Sequence, residues 1–119
     1  MELKVKVWLA DDKGKGILGT GRYRLLREVG RCGSLREAAE NLGMSYRKAW
    51  GDIRTAERLL GFALLERRRG GRGGGACSLT EKAKKLLSAY VKAVTKIEAE
   101  KNKQYNLRIR KALDIAMNV

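Results

Sequence analysis

The chain has 119 residues, and its 27 lysines and arginines against 13 acids leave a formal net charge of +14 at pH 7, with no histidine. Missing histidine removes Ser-His-Asp and Cys-His catalysis together with the commonest zinc ligand. A cationic excess of this size is usually answered by a polyanion, nucleic acid before a membrane surface.

With 44% apolar residues the chain can bury one modest core. No run is long or apolar enough to cross a bilayer, and the N-terminal MELKVKVWLADD lacks the charged-then-apolar order of a signal peptide. A cytoplasmic protein with no membrane partner is therefore expected. Cys32 and Cys77 lie far apart and read as small buried hydrophobes in a reducing compartment, with a disulfide as the lesser alternative. The acidic residues mostly stand beside cations. Glu37, Glu40, Asp52 and Glu57 fit capping or surface pairing better than acid–base chemistry, so no enzyme, metal site or cofactor is expected. One glutamine, no proline and 34% charged residues match the composition trend of thermophilic proteins.

In chain order, residues 2–9 alternate lysine with valine and tryptophan, the period of a half-buried strand. A turn follows over 11–16, then a short return strand or helix entry at 17–19. Thr20 can cap a first helix over residues 21–32, with Leu25, Leu26, Val29 and Cys32 as its apolar stripe. That helix is expected to close a three-helix core around Trp50. Its arginines, Arg22, Arg24, Arg27 and Arg31, read as solvated, with one near the helix start able to touch phosphate.

Ser34 with Glu37 forms a capping box ahead of Leu35, Ala38, Ala39 and Leu42, which recur at helical spacing until Gly43 stops the helix. Ser45 can cap the next helix. On a wheel of about 100° per residue, residues 46–60 divide into two faces. Tyr46, Ala49, Trp50, Ile53, Ala56 and Leu60 form an apolar one; Arg47, Lys48, Gly51, Arg54, Thr55 and Arg58 form the other. Guanidinium and ammonium groups around a glycine suit phosphates and guanine edges, so this helix reads as a DNA-recognition helix. The plainer alternative is a solvated face opposite a core face.

Gly61 ends that helix, and 62–67 has strand composition. Residues 67–75, RRRGGRGGG, then lead into a second strand at 76–79. Two strands joined by a basic glycine-rich loop describe a wing, in which Arg67, Arg68, Arg69 and Arg72 supply charge for a minor groove and the glycines allow close backbone approach. The alternative is an unstructured polyanion tether. A nucleotide-cradling loop is excluded because no Gly-Lys followed by Ser or Thr opens a helix here, and nothing positive supports an oxyanion held in a glycine nest.

Thr80 caps a long helix with Ala83, Leu86, Leu87, Tyr90, Val91, Val94 and Ile97 on its stripe, while Lys82, Lys84, Lys85, Lys92 and Lys96 read as its solvated face. Tyr105, Ile109, Ala112, Leu113 and Ala116 extend the stripe. So long a helix needs a partner for its far half. A helix pair in a homodimer is favoured, and a hairpin breaking near 102–106 is the alternative.

The expected fold is mainly α with a small β-hairpin wing: a winged helix-turn-helix over 1–79 and a C-terminal helical dimerisation segment over 80–119. The segments GSLREAAENLGMSYRKAW and LLERRRGGRGGGACSLT resemble the DNA-binding domain of ModE-type molybdate-responsive transcriptional regulators, and are more distantly similar to LysR-type winged helices. The resemblance runs over about residues 19–90. It implies dimeric binding to double-stranded DNA at a partly palindromic operator, with Ser45, Tyr46, Arg47 and Lys48 and, in the wing, Gly70, Gly71, Arg72 and Gly73 at the interface. Members of that family continue into a molybdate-binding module of small β domains, whereas this chain stops after its helix, so molybdate sensing is not carried over. Two functions follow: a sequence-specific regulator, or an architectural protein that coats DNA without preference.

Overall fold

Capping residues set the bounds of most helices. In the computed structural model, which describes residues 1–67 and 76–118, helix α1 spans Thr20–Cys32, α2 Leu35–Asn41 and α3 Tyr46–Leu60. The hydroxyl of Ser34 accepts from the Glu37 amide at 3.1 Å and that of Ser45 from the Lys48 amide at 3.1 Å, each satisfying a donor that the helix start leaves open. Gly43 and Gly61 follow α2 and α3 with φ of 67° and 81°, the left-handed backbone that a side chain resists. Thr20 does not cap α1. Gly19 holds that position without a side-chain bond, and a Cβ there would lie 3.2 Å from the Trp8 Cβ, so close passage of the chain selects the glycine.

Two small antiparallel hairpins flank the helices. Strand β1, Leu9–Ala10, pairs with β2, Gly16–Leu18, through a turn in which the Asp11 carboxylate accepts from the amides of Lys13 and Lys15 at 3.0 and 2.8 Å. The strand expected over 2–9 is therefore confined to its last residue. Residues 2–8 carry the alternation but find no ladder partner among the described residues. Strand β3, Leu65–Arg67, pairs with β4, Cys77–Leu79, with Leu65 opposite Leu79 and Arg67 opposite Cys77. The Cys77 amide also donates to the Gly33 carbonyl at 2.9 Å, which pins β4 to the turn between α1 and α2. Both cysteines are free, Cys77 buried and Cys32 half-buried. Burial pushes the Cys77 thiol pKa upward.

Trp8–Ser88 forms one compact unit. Leu25, Leu26, Val29, Ile53 and Leu64 are its largest fully buried side chains, joined by Leu35, Ala38, Ala39, Ala49 and Ala56. The stripes of α1, α2 and α3 meet there, as their spacing predicts. Trp50 is not the centre of this core but only half-buried at its edge, and Leu42, expected on the α2 stripe, is 39% exposed because the helix ends at Asn41 before reaching it.

The second unit comprises Met1–Val7 and Ala89–Val119. Helix α4, Glu81–Gln104, begins at a Thr80 cap, whose hydroxyl accepts from the Ala83 amide at 3.1 Å and donates to the Ala63 carbonyl at 2.8 Å. It passes through a π-helical turn at Tyr105–Ile109 directly into α5, Arg110–Met117. Gln104, Ile109 and Arg110 keep right-handed helical dihedrals, so the break considered near 102–106 does not occur. One extra residue is absorbed per π turn, which shifts the stripe around the axis beyond that point. Within this unit the Tyr90 hydroxyl donates to the Val7 carbonyl at 2.9 Å, and Leu3 and Val5 lie with Ile97 along a shallow apolar groove.

Candidate nucleic-acid interface

Helix α3 buries Ala49, Ile53 and Ala56 and turns Arg47, Lys48, Gly51, Arg54 and Arg58 to solvent, with Thr55 at the boundary. Burial of one face by the core thus orients the other. Among the described residues, Arg47, Arg54 and Arg58 enter no ion pair or side-chain hydrogen bond, so their donors stay available. A Cβ on Gly51 would meet nothing within 4 Å, which leaves open space at the middle of the row. Lys48 differs: its ammonium sits 3.1 Å from Asp52, which draws it back along the helix. Ser45 uses one acceptor lone pair on the cap and keeps its hydroxyl proton to give.

Asp52 also meets Arg22 at 3.7 Å, and Arg22 donates to the carbonyls of Gly16 and Ile17 at 2.7 and 3.1 Å. This arginine, expected to be solvated, therefore ties β2 and α1 to the recognition helix. Its bonds to Gly16 and Ile17 span six and five positions, but its pairing with Asp52 reaches across thirty, and no sequence pattern signals the combination. Glu57 is likewise more than a surface partner. Its Oε2 accepts from the Leu64 and Leu65 amides at 2.7 and 3.4 Å, fixing the foot of the wing on α3. A carboxylate one turn before a glycine stop, with a strand just beyond, is the signal that could have found it.

Two arginines lie over aromatic rings of α3. The Arg36 guanidinium is 4.3 Å from the Tyr46 ring centre and that of Arg67 is 5.3 Å from Trp50. Each contact is worth about 0.5–1 kcal/mol at an exposed site. Tyr46 and Trp50 line a cleft of about 240 Å³ between α3 and the wing foot, shared with Leu35, Glu57, Leu65 and Arg67. Arg67 is thus brought to the recognition helix. The wing positions Arg68, Arg69, Gly70, Gly71, Arg72 and Gly73 lie outside the described residues. So of the expected interface, the structure gathers Ser45, Tyr46, Arg47, Lys48, Gly51, Arg54, Thr55, Arg58 and Arg67 in the Trp8–Ser88 unit. Tyr46, assigned to both the apolar face and the interface, is 36% exposed and lies between the two.

No group of three or more Cys, Asp or Glu side chains is placed to hold a metal ion among the described residues. None of the described helices is long and apolar enough to cross a membrane.

The chain is 42% identical over 69 residues to the transcriptional regulator ModE of Haemophilus influenzae, covering 58% of this chain and 27% of that protein. It is 37% identical over 73 residues to the molybdenum-pterin-binding protein MopB of Rhodobacter capsulatus, covering 61% and 27%. It is 36% identical over 69 residues to the DNA-binding transcriptional dual regulator ModE of Escherichia coli K12, covering 58% and 26%. The chain thus matches about a quarter of the length of these relatives. In fold it is similar to the crystal structure of the BenM_DBD/benA site 1 DNA complex, with a TM-score of 0.55 and 21% identity over 73% of this chain and 95% of that one. A family model, the bacterial regulatory helix-turn-helix protein of the lysR family, matches residues 21–84, more than half of the chain. With its core helices, recognition face and wing foot all inside that match, the chain belongs to the LysR-type bacterial regulatory helix-turn-helix family.

Proposed function

We propose that this chain is the DNA-binding part of a ModE-like transcriptional regulator that reads duplex DNA in sequence-specific fashion. The observation that carries this reading is the exposed row of Arg47, Gly51, Arg54 and Arg58 on α3, opposite the buried Ala49, Ile53 and Ala56. Arg47 and Arg54 are the base readers, each able to form a bidentate pair with guanine in the major groove. Lys48, Thr55 and Arg58 contact flanking phosphates, as do the Ser45 hydroxyl and Arg67, and the arginine-rich sequence at Arg68, Arg69 and Arg72 supplies charge suited to a minor groove. The similarity to ModE proteins supports a role in transcription regulation in the cytoplasm, without catalysis.

Residues 80–119 serve as the dimerisation segment and 1–79 as the DNA-binding domain. Leu107, Ile109, Ile115 and Met117 are all exposed on the C-terminal helix, and a second copy of the chain would cover them. Such a dimer sets its two recognition helices about 34–36 Å apart, one turn of duplex.

The net charge of +14 also favours a second reading, a protein that coats DNA through counterion release alone. Selection of bound fragments from random duplexes, followed by competition at two salt concentrations, separates the two. The regulator reading expects a partly palindromic sequence whose preference over scrambled duplex survives raised salt. Uniform recovery of all sequences, with affinities that collapse together as salt rises, would establish the coating protein instead.

A further inference from the structure

The cleft between α3 and the wing foot has a make-up that core packing does not require. Its aromatic walls, Tyr46 and Trp50, are one helical turn apart on the same side of α3, so their Cβ atoms are about 5–6 Å apart. Neither ring is buried, and each carries a guanidinium: Arg67, from the end of β3, lines the cleft and lies over Trp50, while Arg36, from the first turn of α2 and outside the cleft lining, lies over Tyr46 beside it. Exposed arginines stacked in this way lose little freedom on binding, because the planar fork is already held against a ring. The one carboxylate in the cleft, Glu57, is engaged by the Leu64 and Leu65 amides.

We propose that this cleft seats the phosphodiester backbone of one DNA strand, gripped by Arg36 and Arg67, with Tyr46 and Trp50 as the platforms that hold the two guanidiniums in place. The inference rests on the DNA-binding reading and adds to it a site between the two elements that enter the grooves. In a duplex the strand separating a major groove from the adjoining minor groove must pass between a recognition helix and its wing, which is where the cleft lies. Phosphate oxygens accept two parallel N–H bonds from a guanidinium, whereas the aromatic faces take the guanidinium plane from the other side. Arg36 and Arg67 are therefore contacts that orient the protein without reading bases, and Tyr46 and Trp50 are positioning residues.

The test is a salt series on the full chain with the duplex obtained by selection and with a scrambled one. Each phosphate contact contributes a slope of about −0.9 in log affinity against log salt. Arg36→Ala is expected to flatten the slope by about that amount on both duplexes, with an unchanged far-ultraviolet dichroism spectrum. Tyr46→Leu should keep the slope but lose affinity severalfold, and Tyr46→Phe, which keeps the ring, should lose less affinity than Tyr46→Leu. As an independent readout, neutral methylphosphonates are placed singly along the strand. One position should weaken wild type and have no further effect on Arg36→Ala, a coupling that a merely structural arginine would not show. Unchanged slope in Arg36→Ala, or full additivity at every methylphosphonate, overturns the seat while leaving duplex binding intact. If wild type itself binds neither duplex, the DNA-binding reading fails first and takes the seat with it.

Discussion

The two compact units of this chain differ in how completely they bury their apolar side chains. In Trp8–Ser88, the stripes of three helices close on Leu25, Leu26, Val29, Ile53 and Leu64, all nearly inaccessible. Among the described residues of the other unit, none reaches that state, and Val5, Val91, Ile97, Leu107, Ile109, Ile115 and Met117 remain exposed. Short helices crossing one another can finish a core within one chain, whereas a single helix with an extended arm has only one side covered. The basic face of α3 stands on the finished unit, and the uncovered apolar side chains stand on the other.

Substitutions that break this contrast should act on different observables. Ile53→Ala, at a site with 0% exposure, is expected to destabilise the first unit by about 2–5 kcal/mol, read as a loss in denaturant midpoint. The paired change Leu107→Glu and Ile115→Glu should leave the far-ultraviolet spectrum of the helices in place and shift sedimentation toward the monomer. A dimer as stable as wild type would place the interface elsewhere. Arg54→Ala is expected to cost on the order of 1–3 kcal/mol on a selected duplex and much less on a scrambled one. Equal losses on both would make Arg54 a phosphate contact. Gly51→Ala separates stability from binding most sharply. Open space around Gly51 means the alanine should stabilise α3 by about 0.5–1 kcal/mol, yet duplex affinity should fall because the added methyl stands where the DNA must approach.

The smallest effect concerns Glu28. Hydrogen bonds from Arg31 and Asn41 hold its carboxyl pKa below the ordinary value. A carboxylate with a lowered folded-state pKa contributes stability above its unfolded value, and that contribution disappears as pH falls through the folded one. Glu28→Gln should therefore lower the melting temperature slightly at neutral pH and leave it unchanged once both forms are protonated. A larger deficit in acid than at neutral pH would reverse the assignment.

Much of the first unit is legible in the sequence because it is built from local chemistry. Ser34, Ser45 and Thr80 cap helices through bonds to residues three positions on, and Gly43 and Gly61 stop them. The core positions of α1, α2 and α3 repeat with the helical period, and the two faces of α3 follow from it. What escapes sequence reasoning depends on contacts between distant segments. Residues 2–8 alternate like a strand but lack a ladder partner, since a period of two records side-chain character and not hydrogen bonding. Trp50 has core composition but sits at the core edge, where Arg67, seventeen positions on, lies over its ring. Arg22 reads as a surface cation and instead joins β2, α1 and α3. The Arg36–Tyr46 stack, which links α2 to α3, has no sequence signature at all.

The central claim, that the outer face of α3 reads bases, is tested most directly by replacing guanines of a selected duplex one at a time with 7-deazaguanine, which lacks the N7 acceptor. At one guanine, replacement is expected to cost wild type about 1–3 kcal/mol and to cost Arg47→Ala or Arg54→Ala nothing further. Equal penalties in wild type and both variants at every guanine would contradict it.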